Sequence, residues 1–278
     1  MMLMALCLLP LSACTSLFFF PMQQHVTTPA ALGFEYEDVW LESSDSTQLH
    51  GWLITPEQQI IGTVYFLHGN AENVSTHFRA ILWLVNAGYQ VFALDYRGYG
   101  LSQGKPDVPE VFEDIAAGAQ WIYQHHNGNT ENKDKPIVLF GQSLGASLAL
   151  KFAQLHDNFN EQFDALITEA AFSRYGHIAR HVADQQWITW WAQYPAQWLI
   201  PDDHDPMDAV SQYNNLPLLM IHSRDDEIIP YTMGRSLFDA AAEPKQWVST
   251  TGPHIRAAAD PNVRQAILQF IEQSQNRF

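Results

Sequence analysis

At 278 residues, with 47% apolar residues and a formal net charge of −16, the chain is long enough for one large domain with a sizeable core. The acidic balance and the lack of a basic stripe argue against a nucleic-acid partner. The only cysteines are Cys7 and Cys14, so the body has no disulfide, no thiol nucleophile and no Cys-based metal site.

Residues 1–20 are almost continuously apolar. Within them Leu11-Ser12-Ala13-Cys14 resembles a bacterial lipobox, which implies lipidation at Cys14 and a membrane-anchored lipoprotein of the cell envelope. Thr15 follows the cysteine, where an Asp would resemble an inner-membrane retention signal, so the outer membrane is the expected address. The alternative is a single-pass N-terminal anchor, since about 20 apolar residues span a bilayer. Residues 15–31 read as a linker, and the body is expected over 32–278.

The body opens with two alternating segments, Phe34 to Leu41 and Leu49 to Ile54, which predict a hairpin. Gly62 to Leu67 and Tyr89 to Leu94 are continuous apolar runs, as in parallel strands covered on both faces. Between them Val74 to Asn86 has a helical pattern that Gly88 ends. A second helix is predicted from Val108 to His125 and a strand after Pro136. Phe163 to Ile167, Leu216 to Ile221 and Gln246 to Val248 read as later strands, with helices over Tyr231 to Ala242 and Asp260 to Glu272. Alternating strands and helices after a hairpin indicate an α/β fold, a mostly parallel doubly wound sheet. Residues 170–213 show no strand pattern and carry Trp187, Trp190, Trp191 and Trp198, which predicts an inserted helical cap.

Gly141-Gln142-Ser143-Leu144-Gly145 falls between the run Ile137 to Phe140 and a helical stretch. Strand, sharp turn and helix is the setting in which Gly-x-Ser-x-Gly exposes a nucleophilic serine. The amide of Leu144, at a helix N-terminus, would stabilise a developing oxyanion. A serine needs a base to take its proton, and the base needs an acid to orient it. The strand ending near Ile221 leads into the acidic loop His222-Ser223-Arg224-Asp225-Asp226-Glu227. Beyond it the one histidine is His254, between the last strand and the last helix.

From about Val39 onward the chain resembles α/β-hydrolases of the serine-hydrolase kind, in particular bacterial relatives of the membrane-associated α/β-hydrolase-domain proteins and the serine-aminopeptidase-like branch. The matching stretches are Leu67-His68-Gly69-Asn70, Asp95-Tyr96-Arg97-Gly98-Tyr99-Gly100, the Ser143 pentapeptide, the acidic loop and Gly252-Pro253-His254. The resemblance implies Ser143 as nucleophile, His254 as base and Asp226, rather than Asp225, as acid. It also implies the backbone amides of Asn70 and Leu144 as the oxyanion hole. Ser223 stands where the family usually has glycine, and Ile255-Arg256 where Asn-Asp is commoner.

The implied activity is hydrolysis of an ester or thioester with an apolar, lipid-like acyl group, by a monomer that uses no cofactor. A peptidase would instead need acids that bind a terminal amine, for which Asp202, Asp203 and Asp205 are candidates. No metal is expected, because Asp202 to Asp205 has no matching second cluster and reads as a solvated turn.

Overall fold

The computed structural model describes residues 19–156, 158, 161–185, 203–212 and 216–275. The strands are β1 (Glu35–Glu42), β2 (Gln48–Thr55), β3 (Gly62–Leu67), β4 (Tyr89–Asp95), β5 (Ile137–Gln142), β6 (Ala165–Glu169), β7 (Leu218–Ser223) and β8 (Lys245–Thr250). They form one sheet in the order β1-β2-β4-β3-β5-β6-β7-β8. β1 pairs antiparallel with β2, and β2 with β4, while every later pairing is parallel. The predicted hairpin and mostly parallel sheet are therefore both present.

The continuous apolar runs have a simple cause. Successive strand side chains point to opposite faces, and this sheet has a core on each. Tyr65, Leu67, Phe92, Leu94, Ile137 and Leu139 join one core with Val111, Ile115, Ala119 and Ile122 of the helix Glu110–Gly128. The alternate residues Val64, Phe66, Val91, Ala93, Val138 and Phe140 join the other, with Val263, Ile267, Phe270 and Ile271 of the helix Pro261–Gln275. Burying each such side chain contributes about 1.5–3 kcal/mol, so neither face tolerates a charge.

Two expectations are revised. The helix over 74–86 is broken into Val74–His77, a 3₁₀ turn Phe78–Ala80, and Leu82–Asn86. In 3₁₀ geometry residues three apart eclipse, which brings Phe78 and Ile81 into the same core, both fully buried. The stretch 21–31, expected as a linker, lies on the body: Met22 N–H donates to Glu72 O at 2.9 Å, and Pro29–Leu32 forms a 3₁₀ turn.

The predicted cap is described at its two ends, as the helices Tyr175–Gln185 and Pro206–Ala209. Trp187, Trp190, Trp191 and Trp198 lie outside the described residues, as do Cys7 and Cys14. Among the described residues no helix is long and apolar enough to cross a membrane.

Candidate active site

β5 and the helix Leu144–Leu155 meet at Ser143, whose backbone is at φ 54 and ψ −117. A non-glycine residue in this region costs on the order of 1–3 kcal/mol and persists only where its neighbours enforce it. Here the Ser143 amide donates to the Glu169 carbonyl at 2.9 Å. Crowding sets the flanking residues: a Cβ on Gly141 would overlap the Gly145 carbonyl oxygen, and one on Gly145 the Leu67 carbonyl oxygen. Glycine is thus required at both ends of the pentapeptide.

The turn places Ser143 Oγ 2.9 Å from His254 Nε2, and His254 Nδ1 lies 2.7 Å from Asp226 Oδ2. Asp226 Oδ1 accepts from the amides of Ile228 and Ile229, both at 2.9 Å. Burial pushes the Asp226 carboxyl up, but the His254 bond and these amides outweigh it and hold the acid below its ordinary value. Asp226 is therefore a carboxylate at neutral pH.

Asp225 has a different partner, for its Oδ2 accepts from the Gly252 amide at 3.0 Å. Ser223 Oγ donates to the Gly252 carbonyl, and the Arg224 amide to Thr250 O at 2.9 Å. These bonds tie the acid loop to the base loop. The serine at 223, a departure from the resembled family's glycine, contributes one of them.

Leu144 follows Ser143 directly, and Asn70 follows Gly69, which packs against the serine. The Leu144 amide opens its helix, where no intrahelical acceptor exists and the dipole is positive. Gly69 packs so closely that a Cβ there would sit 3.3 Å from Ser143 Cβ. Asn70 Oδ1 accepts from Ala71 N at 2.8 Å, Tyr99 Oη at 2.9 Å and Phe20 N at 3.0 Å. His68, read in sequence only as part of the oxyanion motif, donates from Nδ1 to the Gly69 carbonyl at 2.7 Å, which stiffens the same turn.

Beneath this turn Asp95 is fully buried. It accepts from the Val74 amide at 2.7 Å and faces His25 Nε2 at 3.4 Å, His68 Nε2 at 3.4 Å and His50 Nδ1 at 3.9 Å. Burial alone would raise its carboxyl, but the facing imidazoles hold it well below the usual carboxylate range. Among the described residues His25, His50 and Asp95 are the one group whose ligand atoms converge as a metal site would require.

His50 also bonds Asp38 Oδ1 through Nε2 at 2.8 Å. Its burial favours the neutral ring, yet the carboxylates of Asp95 and Asp38 raise its pKa above 6.5. A raised folded pKa stabilises below the unfolded value, and the contribution is lost as pH rises through the folded one. The stability that His50 contributes, read as the difference in urea midpoint between wild type and His50→Gln, is therefore expected to shrink as pH is raised from about 6 to about 9.

One residue that ties the site together, Glu169, is not among the sequence-predicted site residues. Glu169 ends β6 fully buried, and its carboxylate accepts from Gln142 Nε2 at 2.6 Å and from the Ala257 amide at 2.8 Å. It joins the nucleophile turn to the chain just past His254. Burial raises its carboxyl against these two donors. The signal was present, since an acid closing the apolar run Ala165-Leu166-Ile167-Thr168 needs buried partners.

Of the three amine-binding candidates, two are described and they have different surroundings. Asp205 accepts from Tyr175 N at 2.8 Å and Arg174 Nη1 at 3.0 Å, Asp203 is exposed, and Asp202 lies outside the described residues.

A mostly parallel sheet whose strand ends carry a serine turn and two partner loops defines an α/β-hydrolase. Residues 58–215, more than half of the chain, match the family Hydrolase_4, described as serine aminopeptidase, S33, and the chain belongs to that family. It is a serine hydrolase.

The chain is 30% identical over 224 residues to the α/β-hydrolase domain-containing protein WAV2 of Arabidopsis thaliana, covering 77% of this chain and 70% of WAV2. It is 29% identical over 191 residues to the lysophosphatidylserine lipase ABHD12 of Danio rerio, covering 66% of this chain and 48% of that one. Among solved structures, the Pyrococcus furiosus esterase Pf2001 superposes with a TM-score of 0.73 at 22% identity, over 92% of this chain and 98% of the esterase, a likeness of fold.

Proposed function

We propose that the chain is a membrane-tethered hydrolase of esters or thioesters with an apolar acyl group. The observation that carries this reading is the hydrogen-bonded line from Ser143 through His254 to Asp226. Ser143 Oγ attacks the acyl carbonyl while His254 Nε2 takes its proton, and Asp226 orients the ring and stabilises the imidazolium. The amides of Asn70 and Leu144 stabilise the tetrahedral oxyanion. His254 then returns the proton to the leaving alkoxide or thiolate. Water, activated by the same histidine, hydrolyses the acyl-enzyme.

The apolar residues 1–20 and the lipobox at Cys14 support a lipoprotein tether at the outer membrane. The name of the ABHD12 relative supports a lipid-like ester. The family description favours a peptidase as the second reading. Against it, Asp205 is already taken up by Arg174 and the Tyr175 amide.

Full-length protein in detergent should hydrolyse nitrophenyl esters with kcat/KM rising with acyl length, and should leave aminoacyl anilides uncut. Faster cleavage of the anilides would replace the ester reading with the peptidase.

A further inference from the structure

We infer that residues 19–26, which precede the hydrolase sheet, are a positioning strap for the oxyanion loop, so that full turnover requires this segment as well as the triad. The inference rests on the oxyanion role proposed for Asn70.

The loop that follows Asn70 is strained. Ala71 and Glu72 are successive non-glycine residues at φ 63 and φ 58. Such residues cost on the order of 1–3 kcal/mol each and hold only where surrounding structure over-determines them. Asn70 Oδ1 and His77 Nε2 hold Ala71, at 2.8 and 3.2 Å, and the strap holds Glu72 and the residues on either side of the pair. Phe20 N–H donates to Asn70 Oδ1 at 3.0 Å. Pro21 forms a parallel bridge with Glu72, and Met22 N–H donates to the Glu72 carbonyl at 2.9 Å. Asn73 Nδ2 donates to the carbonyls of Met22 at 2.8 Å and Gln24 at 2.9 Å. The Val26 amide donates to Ser75 Oγ at 2.9 Å.

The strap is anchored on its far side as well. Gly100 N–H donates to the Met22 carbonyl at 2.9 Å, and His25 Nε2 lies 3.4 Å from Asp95 Oδ2. Phe19 is buried, edge-on to Tyr99, whose hydroxyl donates to Asn70 Oδ1. The strap therefore spans the strained turn from both ends. Without it the turn is free to relax and carry the Asn70 amide away from the oxyanion.

Asn73 separates strapping from folding. Its Oδ1 caps the helix Val74–His77 by accepting from Ser75 N at 2.9 Å, while its Nδ2 holds the strap. Aspartate is an equally good N-cap, so Asn73→Asp keeps the cap and turns both strap donors into an acceptor facing two carbonyls. Met22→Pro independently removes the amide bonded to Glu72.

Wild type and both variants are compared as full-length protein in detergent, by ester kinetics, thermal unfolding and limited proteolysis within residues 19–31. The strap predicts faster cleavage there and a kcat roughly tenfold lower with KM within twofold of wild type, a fraction of the loss of a whole oxyanion donor. A released strap with kcat within twofold of wild type would overturn the inference, as would a strap that stays protected in both variants. A purely structural role would lower the melting temperature and leave kcat at 25 °C unchanged. Wild-type protein that hydrolyses no ester strikes the functional reading, whereas active wild type with unaffected variants strikes the strap alone.

Discussion

Ser143→Ala is expected to abolish labelling by a fluorophosphonate probe and to lower kcat by ~10⁶-fold, the loss when a triad nucleophile is removed. The hydroxyl is the atom that forms the acyl-enzyme, and no neighbouring group can substitute for it. The body contains no cysteine, and the serine's own position on the sheet is unique to the turn that crowding at Gly141 and Gly145 enforces. Removing the hydroxyl costs one hydrogen bond, that to His254, so the melting temperature should fall by a few degrees at most, far too little to explain the loss of activity. Retained ester hydrolysis would point to a different nucleophile. A Ser143→Ala protein that kept its cellular role would favour a non-catalytic lipid-binding module on a hydrolase scaffold, since fold alone does not fix function.

Asp226→Asn should lower kcat by roughly 10⁴-fold with KM little changed, while Asp225→Asn stays within about tenfold of wild type. The two residues are adjacent, but their carboxylates do different things. Asp226 Oδ2 accepts from His254 Nδ1 and is the charge that stabilises an imidazolium. An amide in its place can present N–H to the ring, which selects the wrong tautomer and leaves the transition-state charge without a counter-ion. Asp225 accepts from the Gly252 amide and not, among the described residues, from His254, so its loss loosens the base loop without removing the ring's counter-ion. Equal losses in both variants would mean that the loop, rather than the carboxylate on His254, limits turnover. A dominant loss at Asp225 would reverse the assignment of the acid.

The strap bears on how the body should be prepared for such assays. A chain starting at residue 32 would match the expected domain boundary but would lack every strap contact to Asn70, Glu72, Asn73 and Ser75. Full-length protein in detergent keeps them.

By itself the amino-acid sequence determined the sheet, because a strand covered on both faces must be apolar without interruption, and Gly62 to Leu67 and Ile137 to Phe140 are. It determined the candidate nucleophile and base through chain order and local turn chemistry: a serine between glycines after a strand, and a lone late histidine. These signals lie within a few residues of one another, where periodicity and steric rules operate. The family resemblance already pointed to Asp226 over Asp225, but what aims that carboxylate is tertiary, since it meets His254 on a loop 28 residues away. Only the tertiary structure paired Glu169 with Ala257, and it laid residues 19–26 across the oxyanion turn. Those contacts join segments about fifty to ninety residues apart, whose meeting depends on strand order in the sheet, and strand order leaves no local periodicity to read.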